Sequence, residues 1–237
     1  MAHDLIVFGE DWGAHPSSSQ HLVSHMAADR HVVWVNSIGL RKPAFSMGDA
    51  ARAARKLGAA LFSTPAPRPT DLPEGGPVAG FYGSLAPWID LDLVAATARL
   101  LPEWRFVMIG AAQTDLSALE GLGNIHRLGA RPHAALPGYA QHWDAGIIPF
   151  RDTAQIRACN PLKLREYLAA GRPVVSTDFP ALDGYRHLVQ VARTPEDFAA
   201  ALGASLADTN AAARQAAVAA QSWAARAAEA AAWTDAL

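Results

Sequence analysis

The chain lacks most of the features that would point at once to a familiar activity. It has one cysteine, Cys159, so no intramolecular disulfide can form, and a single thiol is compatible with a reducing compartment. No run of about eighteen apolar residues exists, and the opening has no basic segment followed by an apolar core. Neither a membrane span nor a secretory signal is expected, and a cytoplasmic setting is. Charge imbalance is also missing: a net charge of −2 gives no electrostatic case for nucleic acid as a partner. Gly9 and Gly13 do not complete a G-x-G-x-x-G turn, and Glu10 and Asp11 would repel a pyrophosphate there, which disfavours a dehydrogenase. There is no Walker lysine loop and no G-x-S-x-G elbow. His21 and His25 are spaced i, i+4, but HLVSH lacks the glutamate of the zinc protease motif, so solvated histidines are the default and no metal is expected.

What is there reads as an alternation of strands and helices, which argues for an α/β fold with a parallel sheet covered on both faces. In the first part, strands are expected at Asp4–Phe8 and His31–Asn36, with helices at Ser19–Ala28 and Met47–Leu61. Ser63–Pro77 (STPAPRPTDLPEGGP) holds five prolines and two glycines and reads as a linker. Beyond it, strands are expected at Val78–Tyr82, Phe106–Ile109, Asn124–Leu128, Ala145–Ile148 and Pro173–Ser176, with Leu188–Val191 as a further candidate. Helices are expected at Leu91–Leu101, Leu116–Leu122, Ala134–His142, Leu162–Ala170, Pro195–Ala207 and Asn210–Leu237. The organisation is thus an N-terminal α/β segment (1–62), a Pro/Gly-rich linker (63–77) and a larger domain (78–237).

The stretch Asn160–Asp178, NPLKLREYLAAGRPVVSTD, is the most informative. Asn160 can cap a helix, Pro161 fits its first turn, and Gly171 ends it ahead of Pro173. Leu162, Tyr167 and Leu168 form an apolar stripe. Lys163 and Glu166 lie three residues apart and project as neighbours near the helix start. Unpaired backbone N–H groups, the positive end of the helix dipole and a lysine together make a phosphate site. A carboxylate one turn further in can accept ribose hydroxyls. The same residues also suit an ordinary capped helix with a solvated lysine and glutamate. Gly83 and Ser84 end a strand, where ligands of open α/β sheets collect; a simple turn is the alternative. The loop Gly9–Ser19 carries Glu10, Asp11, Trp12, His15 and three serines, groups suited to a sugar. Asp11 or His15 could act as a base, while Ser17–Ser19 also makes a helix cap. Arg52, Arg55 and Lys56 share a helix with Met47, Leu57 and Leu61, a pattern that can rest on an anionic bilayer surface.

NPLKLREYLAAGRPVVSTD resembles the donor-binding helix and strand of GT-B glycosyltransferases, in the broad group that includes family 4 enzymes of exopolysaccharide and cell-surface glycan synthesis. GFYGSLAPWIDLDL (Gly80–Leu93), WRFVMIG (Trp104–Gly110) and NIHRLGARPHAALPGYAQHWDAGIIPF (Asn124–Phe150) occur in the order of that domain. DLIVFGEDWGAHPSSSQHL (Asp4–Leu22) resembles the first strand and loop of its partner domain. Glu166 matches the second glutamate of the E-x7-E pattern; the first falls on Ala158. The resemblance implies a GT-B-like fold, with a Rossmann-type donor-binding domain and a truncated N-terminal α/β domain. It also implies transfer of a sugar from a nucleoside diphosphate to a glycan or lipid-linked acceptor, with no metal or other cofactor. Lys163 would stabilise the departing diphosphate and Glu166 hold the ribose, with Asn160 at the helix start. Gly83 and Ser84 would approach the diphosphate, the Gly129–Arg131 turn would hold the base, and Phe150–Arg157 would line the sugar pocket. Relative to the family, on the order of a hundred residues are absent between Arg41 and Pro77. The expectation that follows is nucleotide binding in the second domain, with transfer dependent on a partner or self-association. The other reading is a nucleotide-sugar-binding module without transfer.

Overall fold

The computed structural model describes residues 62–219 continuously and, outside them, residues 5–9, 23, 26, 27, 32–36 and 232. The chain divides into two units, one of Met1–Gly58 with Ala220–Leu237 and the other of Ala59–Ala219. In the first, β1 (Leu5–Gly9) and β2 (Val32–Asn36) pair in parallel, Leu5 opposite Val32 and Gly9 opposite Asn36. Residues 23 and 26 are helical and buried. Asp11, His15 and the cations Arg52, Arg55 and Lys56 lie outside the described residues. Among the described residues, no helix is long and apolar enough to cross a membrane.

The second unit is built on six parallel strands in the order β5-β4-β3-β6-β7-β8. In chain order, β3 (Val78–Tyr82) leads to α1 (Leu91–Leu100), β4 (Arg105–Ile109) and β5 (Ile125–Gly129). Then come α2 (Leu136–Ala140), β6 (Ala145–Ile148), α3 (Ala154–Arg157), α4 (Leu162–Ala169), β7 (Val174–Ser176) and β8 (Val189–Val191). Two helices, α5 (Pro195–Ser205) and α6 (Ala211–Ala219), complete it. VAGFY, AGII and VVS are buried on both faces, as strands flanked by crossover helices must be, whereas β5 (IHRLG) alternates toward solvent at the sheet edge. The chain runs outward from β3 to β5, then returns to add β6 on the other side of β3. This reversal leaves a crevice at the carboxyl ends of β3 and β6, the topological switch point of a doubly wound sheet.

Glycines let large rings lie directly against the backbone of these two paired strands. A Cβ on Gly80 would fall 2.0 Å from the Trp143 ring and one on Gly146 would fall 2.5 Å from Tyr167. Trp143 and Tyr167 meet edge to face at 5.5 Å, and Tyr82 packs against both. Burying rings of this kind contributes roughly 1.5–3 kcal/mol each.

The expected strands form within a residue or two of their predicted limits. The helix expected at Leu116–Leu122 does not form. Asp115 instead takes the backbone N–H and hydroxyl of Ser117, at 3.0 and 2.7 Å, and the chain makes a 3-10 turn over Ser117–Leu119. The helix expected at Ala134–His142 is divided between a 3-10 turn, His133–Ala135, and α2. The last expected helix is described only as α6. The proline-rich segment lies within the second unit and is fastened along its length to the rest of it. Gln141 binds the backbone of Phe62, Thr64 and Ala66, Asp71 accepts from Arg131 and Tyr139, and Arg105 reaches the carbonyls of Glu74 and Gly75.

Candidate functional site

The sequence LKLREYLA forms α4 with Leu164, Tyr167 and Leu168 in the core; Leu162, expected on that stripe, is 41% exposed. The helix ends as expected. Gly171, at φ +73°, donates to Leu168, and Arg172 donates to Tyr167, which closes a Schellman turn. Its start differs from the expectation. Pro161 is the N-cap and has no side-chain acceptor to offer, while the Asn160 Oδ1 is taken by Arg165 Nη1 at 2.7 Å. By contrast, α1 and α5 are capped by Asp90 and Thr194. The N–H groups that open α4 therefore lack a side-chain acceptor, at the end where the dipole favours an anion.

Lys163 extends from this open turn toward the end of β3. Its ammonium lies 4.9 Å from the ring centres of Phe81 and of Phe150, the residue two beyond β6, and a Cβ on Gly83 would be 3.1 Å from Nζ. The lysine thus reaches the switch point itself. Burial pulls its pKa from the usual range to about 8, while the negative charge of Glu166 and the Cys159 thiol act in the opposite direction. Cys159 is half-buried and burial raises its pKa, with Lys163 working against that; the thiol is not activated. Thr177 holds Phe150 from both sides, accepting from its N–H at 3.0 Å and donating to its carbonyl at 2.7 Å.

The floor beside Lys163 is backbone. Gly83 has φ +135° and donates to Ile109 at 2.9 Å. Gly110, at the end of the neighbouring strand, has φ +153°, and a Cβ there would lie 1.9 Å from the Gly83 carbonyl oxygen, so no other residue fits. Gly110 donates in turn to Gly129, the last residue of β5. Ser84 follows Gly83 and is half-buried. Arg131 is held by partners outside this floor. It pairs with Asp71 at 2.8 Å and donates to the Tyr139 hydroxyl at 3.1 Å; the hydrogen bond from Arg131, and then that from the Tyr139 hydroxyl, keep the Asp71 carboxyl below its usual range.

Glu166 is buried, at 5% exposure. Its Oε2 accepts from the Tyr82 hydroxyl at 2.5 Å, and its Oε1 faces His133 Nε2 at 3.0 Å. Of the residues grouped by sequence reasoning, Lys163 reaches Gly83, Ser84 follows Gly83 in the chain, and Glu166 is bonded to Tyr82, the residue before Gly83. Sequence reasoning misses Tyr82, His133, Gly110 and Thr177. Gly110 had a legible signal, since it follows an apolar strand as Gly83 does; the Tyr82–Glu166 contact spans 84 residues and had none.

The family model described as "Glycosyl transferases group 1" matches residues 76–208, more than half of the chain. A Bacillus subtilis (strain 168) protein, TuaH, assigned to teichuronic acid biosynthesis as a glycosyltransferase, is 36% identical over 110 residues. That match covers 45% of this chain and 28% of the relative. Among solved structures, Anabaena HepE in complex with UDP and glucose superposes with a TM-score of 0.56 at 15% identity, over 99% of this chain and 72% of that one. AviGT4, a glycosyltransferase involved in avilamycin A biosynthesis, gives a TM-score of 0.57 at 13% identity, over 98% and 97% of the two chains. The trehalose-6-phosphate synthase OtsA gives 0.59 at 16% identity, over 88% and 52%. At such identities the structural likeness speaks for a shared fold, and that fold is the Rossmann-like α/β architecture of GT-B glycosyltransferases. Together with the family match across the six-stranded sheet, this makes the chain a member of the group 1 glycosyltransferases.

Proposed function

We propose that this chain binds a nucleoside-diphosphate sugar at the carboxyl ends of β3 and β6 and serves transfer of its sugar to a glycan or lipid-linked acceptor. The observation that carries this reading is Lys163, which reaches from the uncapped start of α4 to the glycine end of β3. Departure of a nucleoside diphosphate puts negative charge on its oxygens. An ammonium and free N–H groups fixed beforehand stabilise that charge more in the transition state than in the ground state, without needing a metal. Gly110 lets the backbone of Gly83 pack directly against it, Gly83 presents a bare backbone to the diphosphate beside the Lys163 ammonium, and the Ser84 hydroxyl is a further donor. Glu166 accepts from the ribose, while the turn after Gly129 faces the base. Arg131 would act there through the turn it braces with Asp71 and Tyr139. With a lipid-linked acceptor, such a chain would work at the cytoplasmic face of a membrane.

A second reading, nucleotide-sugar binding without transfer, is favoured by one observation. The whole crevice, with the strap of residues 62–77, belongs to a single unit, Ala59–Ala219. Binding then needs nothing outside that unit, whereas transfer also needs the acceptor oxygen held against the anomeric carbon. Thermal shifts of the full chain with UDP, GDP, ADP and their sugars test the common core of both readings. A native-state ligand at a hundred times its Kd stabilises by about 2.7 kcal/mol, so at least one diphosphate should raise Tm by several degrees. No shift with any of them would refute the assignment. Turnover on a lipid-linked or oligosaccharide acceptor separates the first reading from the second.

A further inference from the structure

The only side chains that touch the Glu166 carboxylate through hydrogen bonds among the described residues are Tyr82 and His133, one on each oxygen. Tyr82 is the last residue of β3, directly before Gly83, and its place is overdetermined. Its N–H donates to the Tyr167 hydroxyl at 3.1 Å, Phe62 stacks on its ring at 5.8 Å, and Trp143 and Tyr167 pack at 5.9 and 5.1 Å. A glutamate side chain by itself has several rotatable bonds and no fixed heading. Here a rigid phenol in the sheet determines where its carboxylate points. Burial and the facing Glu166 carboxylate keep the phenol protonated, so it serves as a donor throughout the ordinary pH range. Each carboxylate oxygen has two lone-pair sites, so one donor on each leaves acceptor capacity for a diol.

We propose that Tyr82 is a positioning residue which, with His133 on the other oxygen, aims Glu166 at the ribose diol of the bound nucleotide. Through Glu166 it sets a preference for ribonucleotides over 2′-deoxyribonucleotides. The proposal rests on the reading of Glu166 as the ribose acceptor. A buried acceptor built for a hydroxyl rejects the analogue lacking it, because the acceptor is then left unpaired. Losing one hydrogen bond to a charged group corresponds to a preference on the order of 10- to 100-fold. The geometry matters more than the charge: a carboxylate that can swing would accept either sugar with little distinction.

The test is calorimetric titration of the full chain with whichever of UDP, GDP and ADP binds best, and with its 2′-deoxy counterpart. Wild type should prefer the ribonucleotide by the stated factor. Tyr82→Phe keeps the ring and its packing and removes only the donor; it should bring the ratio to within about threefold, mainly by weakening the ribonucleotide. His133→Ala acts on the other oxygen from a partly exposed position and should lower the same ratio, which keeps the test alive if Tyr82→Phe does not fold. General loosening of the site would weaken both sugars alike and leave the ratio unchanged. An unchanged ratio in the folded variants overturns the proposal, as does a wild-type ratio near one with tight binding. Failure of wild type to bind any nucleoside diphosphate instead overturns the reading of the site on which the proposal stands.

Discussion

The two ends of α4 are finished in opposite ways. At the C-terminal end the Schellman turn at Gly171 satisfies the carbonyls of Tyr167 and Leu168. Arg214 and Gln215 from α6 then donate to Gly171 and Ala169, and Arg214 is itself buried and held by both oxygens of Asp208. At the N-terminal end Pro161 supplies no cap, Asn160 is engaged by Arg165, and a lysine is pulled out of water onto two rings. One end is closed by the protein's own groups and carries stability. The other keeps donors and a charge unspent, which costs the fold and is useful only to an anion. Helices α1 and α5 show that the chain caps its helices elsewhere with Asp90 and Thr194.

This contrast can be broken from the closed end first. Arg214→Ala leaves Asp208 half-enclosed without its partner, and the carboxyl of Asp208 sits below its usual range chiefly because of hydrogen bonds from Arg214. Removing one member of a buried pair typically costs about 3–5 kcal/mol, which should appear as a large drop in the urea midpoint. A loss under about 1 kcal/mol would show that the C-terminal end is not where α4 is anchored. A smaller loss is expected from Gly171→Ala. The left-handed backbone there costs a side chain about 1–2 kcal/mol, and the new Cβ would sit 3.2 Å from Ala211 Cβ. Neither change touches the crevice, so diphosphate affinity at a temperature where both variants are folded should stay within about threefold of wild type.

The open end should respond the other way round. Pro161→Asp supplies the missing cap, a gain of about 1 kcal/mol, while loss of the proline frees the unfolded chain by about 0.4–1 kcal/mol. The two nearly cancel, so stability should change by less than about 1 kcal/mol, the smallest effect of the series. The new carboxylate nevertheless occupies the N–H groups and repels phosphate, so diphosphate affinity should fall roughly tenfold. Unchanged affinity in calorimetry would mean that the helix start is not a phosphate site.

The same contrast explains which parts of the molecule could be read from its residues. NPLKLREYLAAGRPVVSTD announces a helix, its glycine stop and a buried strand, because each is a local choice of propensity and turn chemistry. The strands agree for the same reason: VAGFY and AGII are continuous apolar runs between breakers. The start of α4 could not be read so closely. Asn160 is a good cap by type, and only the arrival of Arg165 one turn later takes its oxygen away. The segment Leu116–Leu122 failed because Asp115 offered Ser117 a competing local bond. Most of the crevice is long-range. Tyr82, His133 and Glu166 come from a strand, a 3-10 turn and a helix, and nothing in their local spacing links them. The sequence marks Lys163 as a candidate for phosphate by its place at a helix start, but its position over Phe81 and Phe150 follows from the strand order.

The role proposed for Lys163 at the open end of α4 is to hold the diphosphate. It is tested most directly by calorimetric titration of a nucleoside diphosphate and its parent nucleoside into wild type and Lys163→Ala, at pH 7 and pH 9. In wild type the lysine loses its proton through about pH 8, so diphosphate affinity should fall about tenfold between the two pH values while nucleoside binding stays constant. In Lys163→Ala, diphosphate binding should be weaker at pH 7 by on the order of 10- to 100-fold and nearly independent of pH, with nucleoside binding unaffected. Equal diphosphate affinity in the two proteins at pH 7 would contradict the account.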